Sequence, residues 1–199
     1  MRKVTTAMVV LLALTGCGGA SDSATPGDVP PPTTSAPPPD GSSPVVDAAA
    51  ERDRTEQEVL DAYLAATEAY DAASNPADPK FPALAETQTG LALEQAVKQL
   101  SAYQATGRVG RDPENSISQR RAEVESVTGE TAVVRDCTTD DGIVVVAATG
   151  EVVNDLVSTF LFEGHMVVED GRWKLSSLLV DEEWEGVAGC ALEYGPSSS

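Results

Sequence analysis

The chain has 199 residues, with 13 Lys plus Arg against 32 Asp plus Glu, a formal net charge of −19 and 41% hydrophobic residues, which suits one modest globular domain. An acidic chain without a basic patch cannot displace counterions from phosphates, so nucleic acid is excluded as a partner, and anionic lipid headgroups repel it weakly.

Arg2 and Lys3 precede an apolar run from Val4 to Leu14. This is a positive start followed by a stretch shorter than the about 20 residues that span a bilayer. The run ends in Leu14-Thr15-Gly16-Cys17, which resembles the lipobox of bacterial lipoproteins. The resemblance implies that residues 1–16 are a signal peptide and that Cys17 carries a diacylglycerol thioether and an acyl chain such as palmitate. The mature protein would then be exported and held at the outer face of the cytoplasmic membrane. Two acyl chains suffice for that, at about 0.8 kcal/mol per buried methylene.

Residues 17–48 read as a tether. Eight of the 13 prolines fall between Pro26 and Pro44 among Gly, Ser, Thr and Asp, and such a stretch buries too little apolar surface to offset chain entropy. The proline runs at 30–32 and 37–39 favour extended backbone at about 3.1 Å per residue. The folded domain is expected over 49–192, with 193–199 as a flexible tail.

From Glu51 to Ala73 the positions Val59, Leu60, Tyr63, Leu64, Ala66, Thr67 and Tyr70 recur at three- and four-residue spacings, which predicts one stripe on a long helix. Ser74-Asn75-Pro76 stops it. A short helix is expected around Phe81 to Thr87. Leu93, Ala96, Val97, Leu100 and Tyr103 make a further stripe, closed by Gly107.

Beyond Gly107 the period changes towards 2. Val124 and Val133 flank a turn at Thr128-Gly129, and Ile143 to Ala148 is a β-rich run entered through Asp140-Asp141-Gly142. Asp170-Gly171 is a strong two-residue hairpin signal. Pairing outward from it sets Val168 opposite Trp173, Met166 opposite Leu175, Gly164 opposite Ser177 and Phe162 opposite Leu179, all on one face. The other face, carrying Glu163 and His165, is mixed, so it is expected to be wetted or to serve as an interface, including one between two copies of the chain.

Helices followed by an antiparallel meander predict an α+β domain, with N-terminal helices packed on one face of a curved antiparallel sheet. The order resembles the nuclear transport factor 2-like, cone-shaped fold over about residues 50–190. It is also similar to a group of secreted actinobacterial-type lipoproteins with that fold, through Thr131-Ala132-Val133-Val134-Arg135-Asp136-Cys137, Asp140-Asp141, Glu169-Asp170-Gly171-Arg172-Trp173-Lys174-Leu175 and Cys190.

With Cys17 assigned to lipid, Cys137 and Cys190 remain for an oxidising compartment and are expected to form a disulfide. A redox pair and two free thiols are the competing assignments.

Cone folds often enclose a pocket. Low side-chain volume at Gly164 and Ser177, amid Phe162 and Trp173, predicts a dent that either holds a small apolar ligand or receives Tyr63 or Tyr103. These six residues are the candidate cavity lining.

No catalytic residue, cofactor or metal site is assigned. His165, the only histidine, has no nucleophile at recognisable spacing. Asp136, Asp140 and Asp141 lack a calcium-loop pattern, and there is no Gly-rich phosphate loop. The sequence therefore points to a non-enzymatic, membrane-anchored module for a small apolar ligand or an envelope protein. The alternative is an isomerase- or dehydratase-like enzyme, as the fold resemblance allows, working with polar groups such as Tyr63, Tyr103 or an Asp.

Overall fold

The computed structural model describes residues 44–190; the expected signal peptide, Cys17, the rest of the expected tether and the expected tail lie outside them. Helix α1 runs Pro44–Ala73. It therefore takes in 44–48, which the sequence reading gave to the tether: after Pro44 there is no Gly or Pro before Asn75, and Ala48-Ala49-Ala50 favours helix. Helix α2 spans Pro82–Thr87 and α3 Gly90–Thr106. Gly107 ends α3 in the left-handed conformation, φ 65°, and its N–H donates to the carbonyls of Gln104 and Tyr103, the arrangement glycine makes at low cost.

Seven strands follow: β1 Arg108–Arg111, β2 Gln119–Thr128, β3 Thr131–Asp140, β4 Ile143–Val146, β5 Val152–Asn154, β6 Ser158–Glu169 and β7 Arg172–Glu185. They form two antiparallel sheets, β2-β3-β6-β7 and β1-β4-β5. The fold is thus α+β, with the helices packed on antiparallel sheet. The single meander expected from the sequence is interrupted, because β4 pairs with β1 and β5, strands of four and three residues that are too short to show a period.

Helix α1 buries Val59, Tyr63 and Ala66 against Ala132 and Val134 of β3, Met166 of β6 and Leu175 of β7, joined by Ala92 of α3. At about 1.5–3 kcal/mol for each fully buried Val, Leu or Met side chain, this cluster is the main cohesion between helices and sheet. A second cluster, Ala73, Leu84, Ala96 and Leu100, ties the three helices to one another. The segment between α2 and α3 docks on the outer edge of β7: Thr89 N–H donates to Leu175 O at 2.9 Å, and Gln88 bridges Leu175 in parallel. That covers backbone groups an edge strand would otherwise expose.

The β6–β7 hairpin starts as the turn dictates, Val168 opposite Trp173 and Met166 opposite Leu175, and then shifts. Ser176 is an extra residue in β7, so His165 faces Ser177, Gly164 faces Leu178 and Phe162 faces Val180. The expected pairs Gly164–Ser177 and Phe162–Leu179 are therefore wrong by one residue. A bulge inserts a residue without changing its partner strand and flips every side chain beyond it. Leu178 thereby turns inward.

The sheet face away from α1 is partly covered by the chain's own C-terminal segment. Gly186 N–H donates to Val157 O at 2.8 Å, and Thr159 Oγ1 donates to Gly186 O at 2.8 Å. Cys190 forms a disulfide with Cys137, their Cα atoms 6.2 Å apart.

Candidate functional site

Strand β3 presents Ala132, Val134, Asp136 and Thr138 to the helices, all buried. Asp136 is fully buried and is the only charged side chain in this row. An ionised carboxylate there costs several kcal/mol unless it is paired and hydrogen-bonded, and it is both. Tyr63 Oη donates to Asp136 Oδ2 at 2.8 Å, Arg120 Nε lies 3.2 Å from the same oxygen, and Thr138 Oγ1 donates to Oδ1 at 2.8 Å. Arg120 donates further to Thr138 Oγ1 at 3.2 Å and to Thr67 Oγ1 on α1. Residues 63, 67, 120, 136 and 138 thus form one polar network joining α1, β2 and β3.

Tyr63 is held from below as well. A Cβ on Gly164 would lie 2.6 Å from Tyr63 Cε2 and 3.1 Å from Cδ2, so the ring occupies the space a side chain would fill. The dent expected at Gly164 exists, and Tyr63 fills it.

Beside the network a cavity of about 440 Å³ opens between the helices and the four-stranded sheet. Its apolar wall includes Ala92, Phe160, Phe162, Leu175 and Leu178, and the two phenylalanine rings stack with centroids 5.3 Å apart. Three exposed acids, Asp71, Asp112 and Asp140, also line it, so they mark the open side. Gln88, only 4% exposed, reaches it from the α2–α3 segment.

The titrating groups follow their surroundings. Burial, then the charge of Asp136 and its hydrogen bond, pushes the Tyr63 phenol far above its ordinary value, against a smaller opposing effect of Arg120. Tyr63 therefore remains a donor at any physiological pH. Tyr70 is pushed up to about 12, chiefly by burial and then by neighbouring Tyr103, Asp71 and Asp140. Asp71 is raised by loss of solvent contact and by Asp112, Asp140 and Glu68, with Arg120 opposing.

Of the six lining residues expected from the sequence, Tyr63 and Phe162 line the cavity and Gly164 lies beneath Tyr63. Ser177 does not line it: the Ser176 bulge turns it to the opposite face, into a shallow depression beside His165. Trp173 packs at the margin of the core and faces a groove with Glu58, Asp61 and Arg172, because it sits two residues nearer the turn than Leu175. Tyr103 lies outside the cavity, one turn beyond Leu100, where α3 packs on the end of α1. His165 is on the opposite face, Nε2 2.9 Å from Glu163 Oε1, as the pairing parity implied.

Sequence reasoning missed Arg120, Thr67, Gln88, Phe160 and Leu178 as site residues, and it read Asp136 through the family motif and as a candidate cation ligand, without a buried partner. The one available signal was alternation in β3: a carboxylate at an inward position of Ala132, Val134, Asp136 demands a buried partner. The other two acids serve the chain. Asp140 Oδ1 accepts from Gly142 N–H at 2.7 Å, and Asp141 accepts from Ser116 Oγ, Ser118 Oγ and Ile117 N–H at 2.6–2.7 Å. Among the described residues, no group of three or more His, Cys, Asp and Glu is placed to hold a metal ion, and no helix is long and apolar enough to cross a membrane.

No family model matches the chain, and no curated protein matches it. Among solved structures, the intermembrane space region of the chloroplast protein ARC6 is similar with a TM-score of 0.44 and 16% identity, over 61% of this chain and 95% of that one. A likeness that loose carries no argument about function.

Proposed function

We propose that the chain is an envelope lipoprotein, anchored through Cys17 at the outer face of the cytoplasmic membrane, whose domain is a non-enzymatic binding module for a small organic ligand. The observation that carries the binding reading is the cavity of about 440 Å³, a volume typical of small-molecule sites, walled by aromatic and aliphatic groups with a few polar ones. Helices leading into a sheet that partly encloses this space support the nuclear transport factor 2-like reading. The leader ending at Cys17 and the Cys137–Cys190 disulfide support export.

The isomerase- or dehydratase-like reading would use Asp136 and Tyr63, the acid and phenol nearest the cavity. Both oxygens of Asp136 are already engaged, and Tyr63 keeps its proton. Three donors converge on that carboxylate and fix its orientation, so the pair reads as a wall that holds α1 on the sheet.

The test is titration of the purified domain with the neutral fluorophore N-phenyl-1-naphthylamine. One equivalent is expected to bind, and Gln95→Trp is expected to abolish binding. Gln95 is an exposed α3 residue beside the cavity, so the fold should survive, as circular dichroism will report. Equal binding by both proteins, or by neither, refutes the cavity as the site. Anchoring is tested separately with labelled palmitate: no label on a chain with intact Cys17 refutes it.

A further inference from the structure

We infer that the ligand class of this cavity is a protonated amine carried on an apolar body, in preference to a neutral or anionic molecule of the same shape. The inference rests on the binding reading above and narrows it.

Charge is the first ground. Asp71, Asp112, Asp136 and Asp140 line the cavity against one cation, Arg120. Arg120 pairs with Asp136 at 3.2 Å through an Nε–H that it shares with Thr138, and a second N–H goes to Thr67. The three exposed acids have no ion-pair partner among the described residues, and with Asp136 they outnumber Arg120, so the entrance is net negative. Apolar walls focus the field of such a charge and raise the local concentration of cations.

A buried acceptor is the second, independent ground. Gln88 Nε2 donates to Ala66 O at 3.0 Å, which fixes the amide orientation, since only its NH₂ can face a carbonyl. Its Oε1 has no donor among the described residues, although the residue is only 4% exposed. Every fully buried side-chain nitrogen and oxygen among them has a partner, so Oε1 is not sealed off, and the cavity is the space that Gln88 lines. An acceptor there suits a ligand that donates, as an ammonium does.

Aromatic faces are the third. Tyr63, Tyr70, Phe160 and Phe162 all line the space, and π-faces attract ammonium groups within about 6 Å. The stacked phenylalanine pair accepts the apolar body.

The experiment uses the purified domain and three phenylalkyl probes: 2-phenylethylammonium, its neutral isostere propylbenzene, and the anion 3-phenylpropanoate. Binding is read by ligand-observed NMR, with Gln95→Trp as the blocked control. The ammonium probe is expected to bind at least tenfold tighter than propylbenzene, and the carboxylate is expected not to bind measurably. Asp71→Asn with Asp112→Asn should weaken the ammonium at least fivefold and leave propylbenzene unchanged. Raising salt from 20 to 300 mM should have the same selective effect. Propylbenzene binding as tightly as the ammonium in wild type, but not in Gln95→Trp, overturns the amine preference and leaves the cavity as a site. No binding by any probe, or binding unaffected by Gln95→Trp, overturns both.

Discussion

Replacing Gly164 with Ala tests the placement of the cavity wall most sharply, because structure and intrinsic preference pull in opposite directions. In a strand interior, Gly→Ala normally stabilises by about 0.5–1 kcal/mol, through the loss of freedom in the unfolded chain and better strand propensity. Here the new methyl would lie 2.6 Å from Tyr63 Cε2, well inside contact distance. The ring cannot simply swing aside, since its hydroxyl is bonded to fully buried Asp136. Overpacking costs about 1–3 kcal/mol, and moving the ring weakens a hydrogen bond to a charge worth about 1.5–3 kcal/mol. A net loss of about 3 kcal/mol follows, equivalent to a fall of about 6–12 °C in Tm for a domain of this size. The assay is urea unfolding of the purified domain, with the midpoint reduced and the slope unchanged. In a Tyr63→Leu background the same change should cost much less, since the ring it strikes is gone. A neutral or stabilising Gly164→Ala in the wild-type background would refute the placement of Tyr63 over Gly164, and with it the description of the wall.

Three further outcomes follow from the same contacts. Joint replacement of Cys137 and Cys190 by Ser opens a crosslink between residues 53 apart and should cost about 4 kcal/mol on the chain-entropy treatment; guanidinium midpoints with and without reductant measure it, and thiol labelling of the oxidised protein should find neither sulfur free. For Asp141, burial acts to raise the carboxyl, but hydrogen bonds from Ser116, Ser118 and the Ile117 and Asp141 backbone outweigh it and hold the value below the usual range. Its stabilisation is therefore present above the ordinary Asp value and lost as pH falls through the lowered one, and Asp141→Ala should destabilise by about 1–2 kcal/mol at neutral pH, with faster amide exchange at residues 116–118. Asp71 has the opposite sign: its folded-state value is raised, so folding retains a proton and stability falls as pH rises from the ordinary Asp value through the raised one. Asp71→Asn should consequently raise Tm at pH 7, with the gain vanishing below the ordinary Asp range.

How much of this was legible in the sequence depended on the physics behind each feature. Val59, Tyr63, Ala66 and Tyr70 announced α1 because a helix repeats its buried face every three or four residues, and burial of that face largely decides whether the helix forms. Asp170-Gly171 announced its hairpin because φ is positive at both residues, 54° and 73°, which few other residue pairs tolerate. The bulge at Ser176 left no such mark. A serine in a strand is unremarkable, and the shift follows from packing, which brings Leu178 into the core and fastens Leu175 O to Thr89. The network around Asp136 was hidden for a different reason: its members run from Tyr63 to Thr138, and no local pattern links Thr67 to Arg120. The disulfide was readable by compartment and parity alone, because setting Cys17 aside for lipid leaves two cysteines and only one intramolecular bridge to consider.

The extra residue in β7 makes the cavity lining hostage to chain length as well as to side-chain identity. Removing Ser176 would restore the simple alternation, rotating Leu178 out to solvent and bringing the Ser177 hydroxyl opposite Gly164. A single-codon deletion would thus trade a greasy panel of the chamber for a hydroxylated one while leaving every lining residue encoded. Gene variants of this domain that differ by one residue between Leu175 and Leu178 should therefore be sorted by length before their substitutions are compared.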